Sequence, residues 1–300
     1  MDLNLVQMIF VVEADNADVA LYYQALRRFD QFFKQSCCRY VIDSCHECKE
    51  NTDCPYLAVF AQELSTDPDI VRRHQKPPLP FAFKIMQISS DCSSLEICLV
   101  VVGKAVNHLD VFIKTVRRLV ATIPVQNHGN PPDISGVYCQ DNQSVRLELD
   151  LSSHGTRNVI VLSSLDIMEN PVGADDVRLV IESPLRLLSG GSELRHFDFS
   201  AFLRSQMRRC SSLFAYYGDG ELEIDFAGLS SDAKQVVCLC DGIRYSHPPW
   251  SQRPNHAGLF GASRFVAVTP GIMSLLTLGG YFNAGKVASF GFGTYSIKGL

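Results

Sequence analysis

Apolar and polar positions along this chain alternate in a way that predicts strands and helices in a repeated order. Residues 5–12 form an apolar run followed at once by Glu13 and Asp15, which predicts a first strand. Over 17–33, Val19, Tyr22, Tyr23, Leu26, Phe29 and Phe33 recur at helical spacing, with Asn16 as the expected N-cap. Residues 55–64 read as a short helix, after which Pro77, Pro78 and Pro80 break the chain. Strand-like runs follow at 81–88 and 95–102, the second closed by Gly103. Over 109–121, Leu109, Phe112, Val116, Leu119 and Val120 share one side of a helix. Shorter strands are expected at 137–138, 145–151 and 158–162. Strand, helix, strand, strand, helix, strand is the split βαβ order of a ferredoxin-like domain.

The second half repeats the alternation. Asn170, Pro171 and Gly173 mark the expected boundary. A strand at 177–182 is ended by Ser183 and Pro184, and a helix is expected at 197–215. Strands at 221–226, 234–239 and 261–268 precede a short helix at 271–278 and a last strand within 288–297. The expected fold class is α+β, with tandem ferredoxin-like (RRM-like) domains. Residues 1–170 would form the first, with a cysteine-rich insertion. Residues 171–300 would form the second, with a C-terminal glycine-rich loop.

Composition narrows the function classes. Three hundred residues, 46% of them hydrophobic, suffice for two cored domains. No apolar run reaches the ~18 residues of a spanning helix, so no membrane is expected as a partner. The first residues lack a basic start and a small-residue cleavage site, so they read as a strand and not a signal peptide. A cytoplasmic location is expected. The net charge of -5 argues against a domain that is basic throughout. Local clusters matter more than the sum, and arginine pairs occur at 27–28, 72–73, 117–118 and 208–209. Each pair also fits a solvated helix face.

The eleven cysteines are expected to be reduced thiols. Cys92, Cys98, Cys139, Cys238 and Cys240 lie in strand-like runs and read as small core residues. Five more crowd between Cys37 and Cys54. Cys45 and Cys48 form one CxxC pair, with Cys54 after it and Cys37 or Cys38 before it. Four thiolates of this kind suit tetrahedral zinc, with Cys38, Cys45, Cys48 and Cys54 as the candidate set. A zinc framework usually shows two such pairs, so structural zinc and free thiols both stay open.

The stretch 283–293 surrounds Lys286 with Gly285, Gly291 and Gly293. Glycine allows positive φ and close backbone approach. Exposed N–H groups in such a loop form an anion-binding concavity, and lysine adds a point charge. That chemistry suits a phosphate backbone. The spacing is not that of a Walker loop, and no long helix follows as a dinucleotide fingerprint requires. A glycine-rich bulge turn before an edge strand is the other reading.

This stretch resembles the C-terminal loop of the CRISPR precursor-RNA-processing endoribonucleases, the Cas-six branch of the RAMP superfamily. That loop reads Gly-apolar-Gly, about five residues, Gly-apolar-Gly. Here Gly291-Phe292-Gly293 matches its second half and Ala284-Gly285-Lys286 most of its first. Asn283 stands where the loop has its first glycine. Ser183-Pro184-Leu185-Arg186 resembles the family's strand-ending motif, and residues 199–217 with Arg208 and Arg209 resemble its central helix. Arg244-Tyr245-Ser246, Gly258 and Gly261 resemble the segment before its last hairpin, although His247-Pro248-Pro249 replaces a further basic residue. Cys54-Pro55-Tyr56 with Phe60, and Pro80-Phe81, resemble N-terminal signatures of one branch.

The resemblance implies an endoribonuclease in antiviral defense. It would bind CRISPR repeat RNA and cut without a metal, by 2′-hydroxyl attack, leaving 2′,3′-cyclic phosphate and 5′-hydroxyl ends. It implies RNA contacts at Asn283, Gly285, Lys286, Ser289, Gly291, Gly293, Arg208, Arg209 and Arg244. Such a reaction needs a base, an acid and a cation near the phosphate. The candidates are His46, Tyr22, Tyr23, Arg27 and His256. The family often carries its histidine in or after the first helix, and His46 is the nearest one here. Arg28 replaces the glycine that follows this arginine in related proteins. No cofactor is expected for catalysis. A non-cleaving RAMP-type RNA-binding subunit, partnered with other CRISPR effector subunits, is the second reading. A metal-stabilised scaffold without an RNA role is the third.

Overall fold

The computed structural model describes residues 1–15, 17–38, 45, 48, 54–87, 94–124, 130–150, 158–169, 171 and 175–300. The chain divides into two compact units. One comprises Asn4–Phe81 and Ile85–Val161; the other comprises Met1–Leu3, Ala82–Lys84 and Leu162–Leu300. The short helix Ser164–Glu169 is grouped with the second unit. The fold is α+β, with two ferredoxin-like domains.

In the N-terminal domain, β1 (Asn4–Glu13), β2 (Phe81–Gln87), β3 (Ser94–Val102) and β4 (Asp133–Gln140) lie in the order β2-β3-β1-β4. Strand β1 pairs antiparallel with both neighbours, Leu5 opposite Val102 and Gln7 opposite Gln140. A central strand covered on both sides can be apolar throughout, which is why its sequence runs without alternation. The short strand Arg146–Glu148 extends the sheet beyond β4.

The helix expected over 17–33 is two helices, α1 (Val19–Leu26) and α2 (Phe29–Cys37). Arg27 and Arg28 are exposed at the junction, and Arg28 leaves helical geometry at φ -100, ψ 9. The break lets Leu26 and Phe29 both reach the interior. Asp18 caps α1 by accepting from the Ala20 N–H at 2.9 Å. The expected cap, Asn16, lies outside the described residues. Helix α3 (Pro55–Phe60) is shorter than expected, and α4 (Leu109–Val120) matches its pattern. A further turn at Pro68–Arg73 is capped by Asp67.

Five phenylalanines fill the space between these elements. Phe29 lies 5.8 Å from Phe33, 5.3 Å from Phe81 and 6.0 Å from Phe112 between ring centroids, and Phe33 meets Phe60 edge-on at 5.4 Å. Such pairs add to the burial of their large apolar area.

The C-terminal domain repeats the order. Strands β5 (Asp175–Leu185), β6 (Val237–Cys240), β7 (Gly258–Val268) and β8 (Tyr295–Gly299) lie as β6-β7-β5-β8. Helices α5 (Phe199–Tyr217) and α6 (Pro270–Phe282) are its two long helices. Three expectations change. Strand β5 runs on through Pro184 to Leu185, because its pairing with β7 is irregular between Leu259 and Gly261 and so needs no N–H from the proline. The strand expected at 221–226 is absent, and Asp225 instead caps a helix at Phe226–Asp232, accepting from the Gly228 N–H at 2.8 Å. Cys238 and Cys240 are exposed on β6, whereas Cys98 and Cys139 are buried; Cys92 lies outside the described residues. No helix among the described residues is long and apolar enough to cross a membrane.

Candidate nucleic-acid interface

The glycine-rich segment leaves α6 at Asn283 and returns to the sheet at β8. Its backbone is folded against the end of β5 through hydrogen bonds made inside the domain. The Ala284 N–H donates to Gly293 O at 2.9 Å, Lys286 N–H to Arg186 O at 2.9 Å, and Gly293 N–H to Pro184 O at 3.1 Å. Gly285 N–H donates to Ser205 Oγ at 3.2 Å, and Gly291 N–H to Ala288 O at 3.2 Å. Ser183 ties the far side, its hydroxyl donating to Gly291 O while its oxygen accepts from Thr294 N–H, both at 2.8 Å. Gly291 and Gly293 are buried, whereas Lys286 is exposed. The expected cradle of exposed glycine amides is therefore not formed: the N–H groups of 284, 285, 286, 291 and 293 already have partners. The reason is the strand-ending motif, whose carbonyls at Pro184 and Arg186 accept two of them.

Glycine is required where this packing is tightest. Gly293 sits at φ +65, and a Cβ there would collide with the Ala284 carbonyl oxygen. Asn283 occupies a region usually open only to glycine, at φ 61, ψ 177. Its buried side chain offsets that strain. Nδ2 donates to Phe83 O at 2.7 Å and Ala288 O at 2.9 Å, and its backbone carbonyl accepts from Gln206 Nε2 at 3.1 Å.

Helix α5 supplies the charge. Arg204 and Arg208 are exposed, one turn apart. Ser205, between them in sequence, accepts from the Gly285 N–H, so this stretch of α5 is tied to the loop beside Lys286. Arg209 faces the other way. It is half-buried and donates through Nε to Phe282 O at 2.6 Å and through a terminal nitrogen to Ser289 Oγ at 3.2 Å. Desolvation pulls its guanidinium down to about 10, which leaves it charged at neutral pH. Arg209 and Ser289 thus hold the loop in place. Arg244 is exposed but paired with Asp241 at 2.7 Å.

A second cluster lies at the hairpin formed by Leu188–Ser189 and Ser192–Glu193. Arg186 pairs with Glu193 at 2.6 Å, Tyr245 donates to the same carboxylate at 3.0 Å, and the Arg195 guanidinium stacks 3.9 Å over the Tyr245 ring. The hydrogen bond from Arg186 holds the Glu193 carboxyl below its ordinary range, against the opposing effect of burial.

The candidate catalytic residues are placed as follows. Tyr22 and Tyr23 are core residues of α1, 1% and 2% exposed. The Tyr22 hydroxyl has no hydrogen-bond partner among the described residues, and burial pushes it up to about 12. Arg27 is exposed at the end of α1. His256, a catalytic candidate, is fully buried, with Nδ1 2.8 Å from Ser251 Oγ and its ring near those of Trp250 and Phe292. His46 lies outside the described residues.

Comparison with known proteins shows what this geometry is similar to. Residues 179–295 match the model of CRISPR-associated endoribonuclease Cas6, a span that holds most of β5, all of α5 and the whole loop. The C-terminal domain is thus similar to Cas6 over this span. Residues 25–148 match the AF_1859_N family, described as an N-terminal domain. Among solved structures, two Cas6 product complexes align at TM-scores of 0.55 and 0.57. They are 13% and 10% identical to this chain and cover 98% of it, with 99% and 98% of their own chains aligned. Thermus thermophilus Cas6 aligns at 0.53, with 9% identity and 98% of each chain covered. No curated protein matches the sequence. The matched model is that of an endoribonuclease.

Within the matched span, sequence reasoning missed Arg204 and the Arg195–Tyr245 stack. Arg204 was visible as the i−4 neighbour of Arg208 on a helix. The stack had no sequence signal, since fifty residues separate its members. The Asn283 backbone angles, φ 61 and ψ 177, are ones that glycine adopts freely, and the side chain's two hydrogen bonds show how asparagine is accommodated here.

Proposed function

We propose that this chain binds CRISPR repeat RNA and cuts precursor CRISPR RNA with no metal in the step. The ribose O2′ attacks the adjacent phosphorus, the P–O5′ bond breaks, and the products carry a 2′,3′-cyclic phosphate and a 5′-hydroxyl. A base takes the 2′ proton and an acid returns one to O5′. His46 is our candidate base. Arg27, exposed at the end of α1, is our candidate cation for the charge that develops on phosphorus. Arg204, Arg208 and Lys286 would hold RNA phosphates, with the loop as their rigid support. The observation that carries this reading is the Cas6 match over 179–295, the span that holds Arg204, Arg208 and Lys286.

The test is incubation of the chain with a repeat hairpin in excess EDTA. Cleavage that leaves a cyclic phosphate is expected; cleavage only after magnesium is added would overturn the metal-free step. Replacing Arg204, Arg208 and Lys286 by alanine should weaken binding and lower the slope of log affinity against log salt by about one for each phosphate no longer neutralised. The melting temperature should hold, because exposed charges contribute within about 0.5 kcal/mol.

A second reading is favoured by the burial of Tyr22, Tyr23 and His256, which removes three candidates from contact with RNA. On that reading the chain is a non-cleaving RNA-binding subunit that works with other CRISPR effector subunits. It predicts binding with the same salt slope and intact RNA. A His46→Ala variant that loses cutting and keeps binding would decide for the enzyme.

A further inference from the structure

The cysteine-rich region contains a built cavity that the RNA reaction does not use. Cys38, Cys45, Cys48 and Cys54 line one small cavity together with Lys34, Tyr56 and Leu57. The four cysteines come from three places. Cys38 is the C-cap of α2, Cys54 is the N-cap of α3, and Cys45 and Cys48 lie in the connection between them. The Cys48 N–H donates to Cys45 O at 3.3 Å, a turn that brings that pair together. None of the four is in a disulfide.

We propose that Cys38, Cys45, Cys48 and Cys54 bind one zinc ion as four thiolates, forming a structural centre that ties the end of α2 to the start of α3. Three observations favour zinc over other occupants. The ligand set is all sulfur and four in number, which zinc takes tetrahedrally. The four cysteines make up most of the cavity's lining, with Lys34, Tyr56 and Leu57 beside them. Lys34, whose ammonium lies 5.4 Å over the Tyr56 ring on the cavity wall, offsets part of the net negative charge that four thiolates leave around a divalent cation. Cys37 is excluded by its own geometry: it does not line the cavity, and its thiol donates to Phe33 O at 3.1 Å within α2.

Among the described residues no three such side chains already stand close enough to enclose an ion. Binding therefore draws the thiols together and releases their protons, as expected for a centre whose binding is part of local folding. The consequence reaches the core through α3, because Phe60 packs on Phe29, Phe33 and Phe81.

The test uses the full chain, purified without added metal and assayed for metal content. About one zinc per chain is expected, released by a mercurial thiol reagent. The Cys45→Ser/Cys48→Ser double variant should lose it, and Cys37→Ser should keep it. If the double variant does not fold, cobalt(II) added to metal-stripped wild-type chain should give the intense visible bands of tetrahedral cobalt thiolate. A zinc-free wild-type preparation that shows no such bands would overturn the proposal. Iron with sulfide in place of zinc would overturn it in favour of a cluster. Neither result depends on whether the chain cuts RNA.

Discussion

The two ferredoxin-like domains share a strand order but stabilise the segments outside their sheets in opposite ways. In the N-terminal domain, five phenylalanines at helix and strand positions fill the interior, and α2, α3 and α4 are placed by the rings they present. In the C-terminal domain the segment between α6 and β8 is placed by hydrogen bonds to Ser183, Pro184, Arg186, Ser205 and Arg209. Apolar packing is nondirectional, so the first domain can absorb a broken helix and a cysteine-rich insertion. Hydrogen bonds are directional, so the second domain holds one backbone path and presents Lys286 from it at a defined point. A loop held this way would suit the RNA contact proposed for it, since ordering is complete before a ligand arrives.

The largest expected effect is in the aromatic interior. Phe112→Ala removes a fully buried ring that meets Phe29, Phe33 and Phe81, and should cost about 3–5 kcal/mol in urea unfolding. RNA affinity at temperatures well below the new melting point should be retained. A destabilisation below about 1 kcal/mol would mean that the ring cluster does not organise that domain.

Gly293→Ala comes next, at about 2–4 kcal/mol, from positive φ and the collision with Ala284 O. It should also weaken RNA binding, because it moves the path that carries Lys286. Equal destabilisation with unchanged binding would separate the loop's shape from its role and break the contrast between the domains.

The smallest effect is electrostatic. Glu193 has its folded carboxyl pKa held below its ordinary value of 4.5 by Arg186. Its contribution is present above that ordinary value and is lost as pH falls through the lower folded value. Glu193→Gln should therefore lower stability by about 1 kcal/mol or less near neutral pH, and the difference should vanish in acid. Urea midpoints of both chains across an acid titration check this, and a difference that grows in acid would reverse the sign.

Much of this was legible along the chain. The apolar run of β1, the stripe of α4 and the repeated strand-helix order gave both domains their class, because burial on one or two faces imposes its own period. Arg27 and Arg28 were legible as charges but not as a break, since helical spacing continues across them. Lys286 and the glycines were legible as a tight loop beside a charge, and were read as an anion cradle. Their amides were not legible as occupied, because the acceptors at Pro184 and Arg186 lie a hundred residues upstream. His256 reads as a polar residue between glycines and is buried by Trp250 and Phe292, neither of which its neighbours announce.

By itself, the sequence determined which residues are apolar, which stretches prefer helix or strand, where glycine is needed and which family motifs are present. All of these are local properties, set by side-chain type and spacing over one or two turns. The tertiary structure alone decided which donors meet which acceptors, which arginine faces solvent and which supports the loop, and which cysteines share a cavity. Those outcomes depend on pairs far apart in the chain, and their energies exist only once folding has brought the partners within a few ångströms.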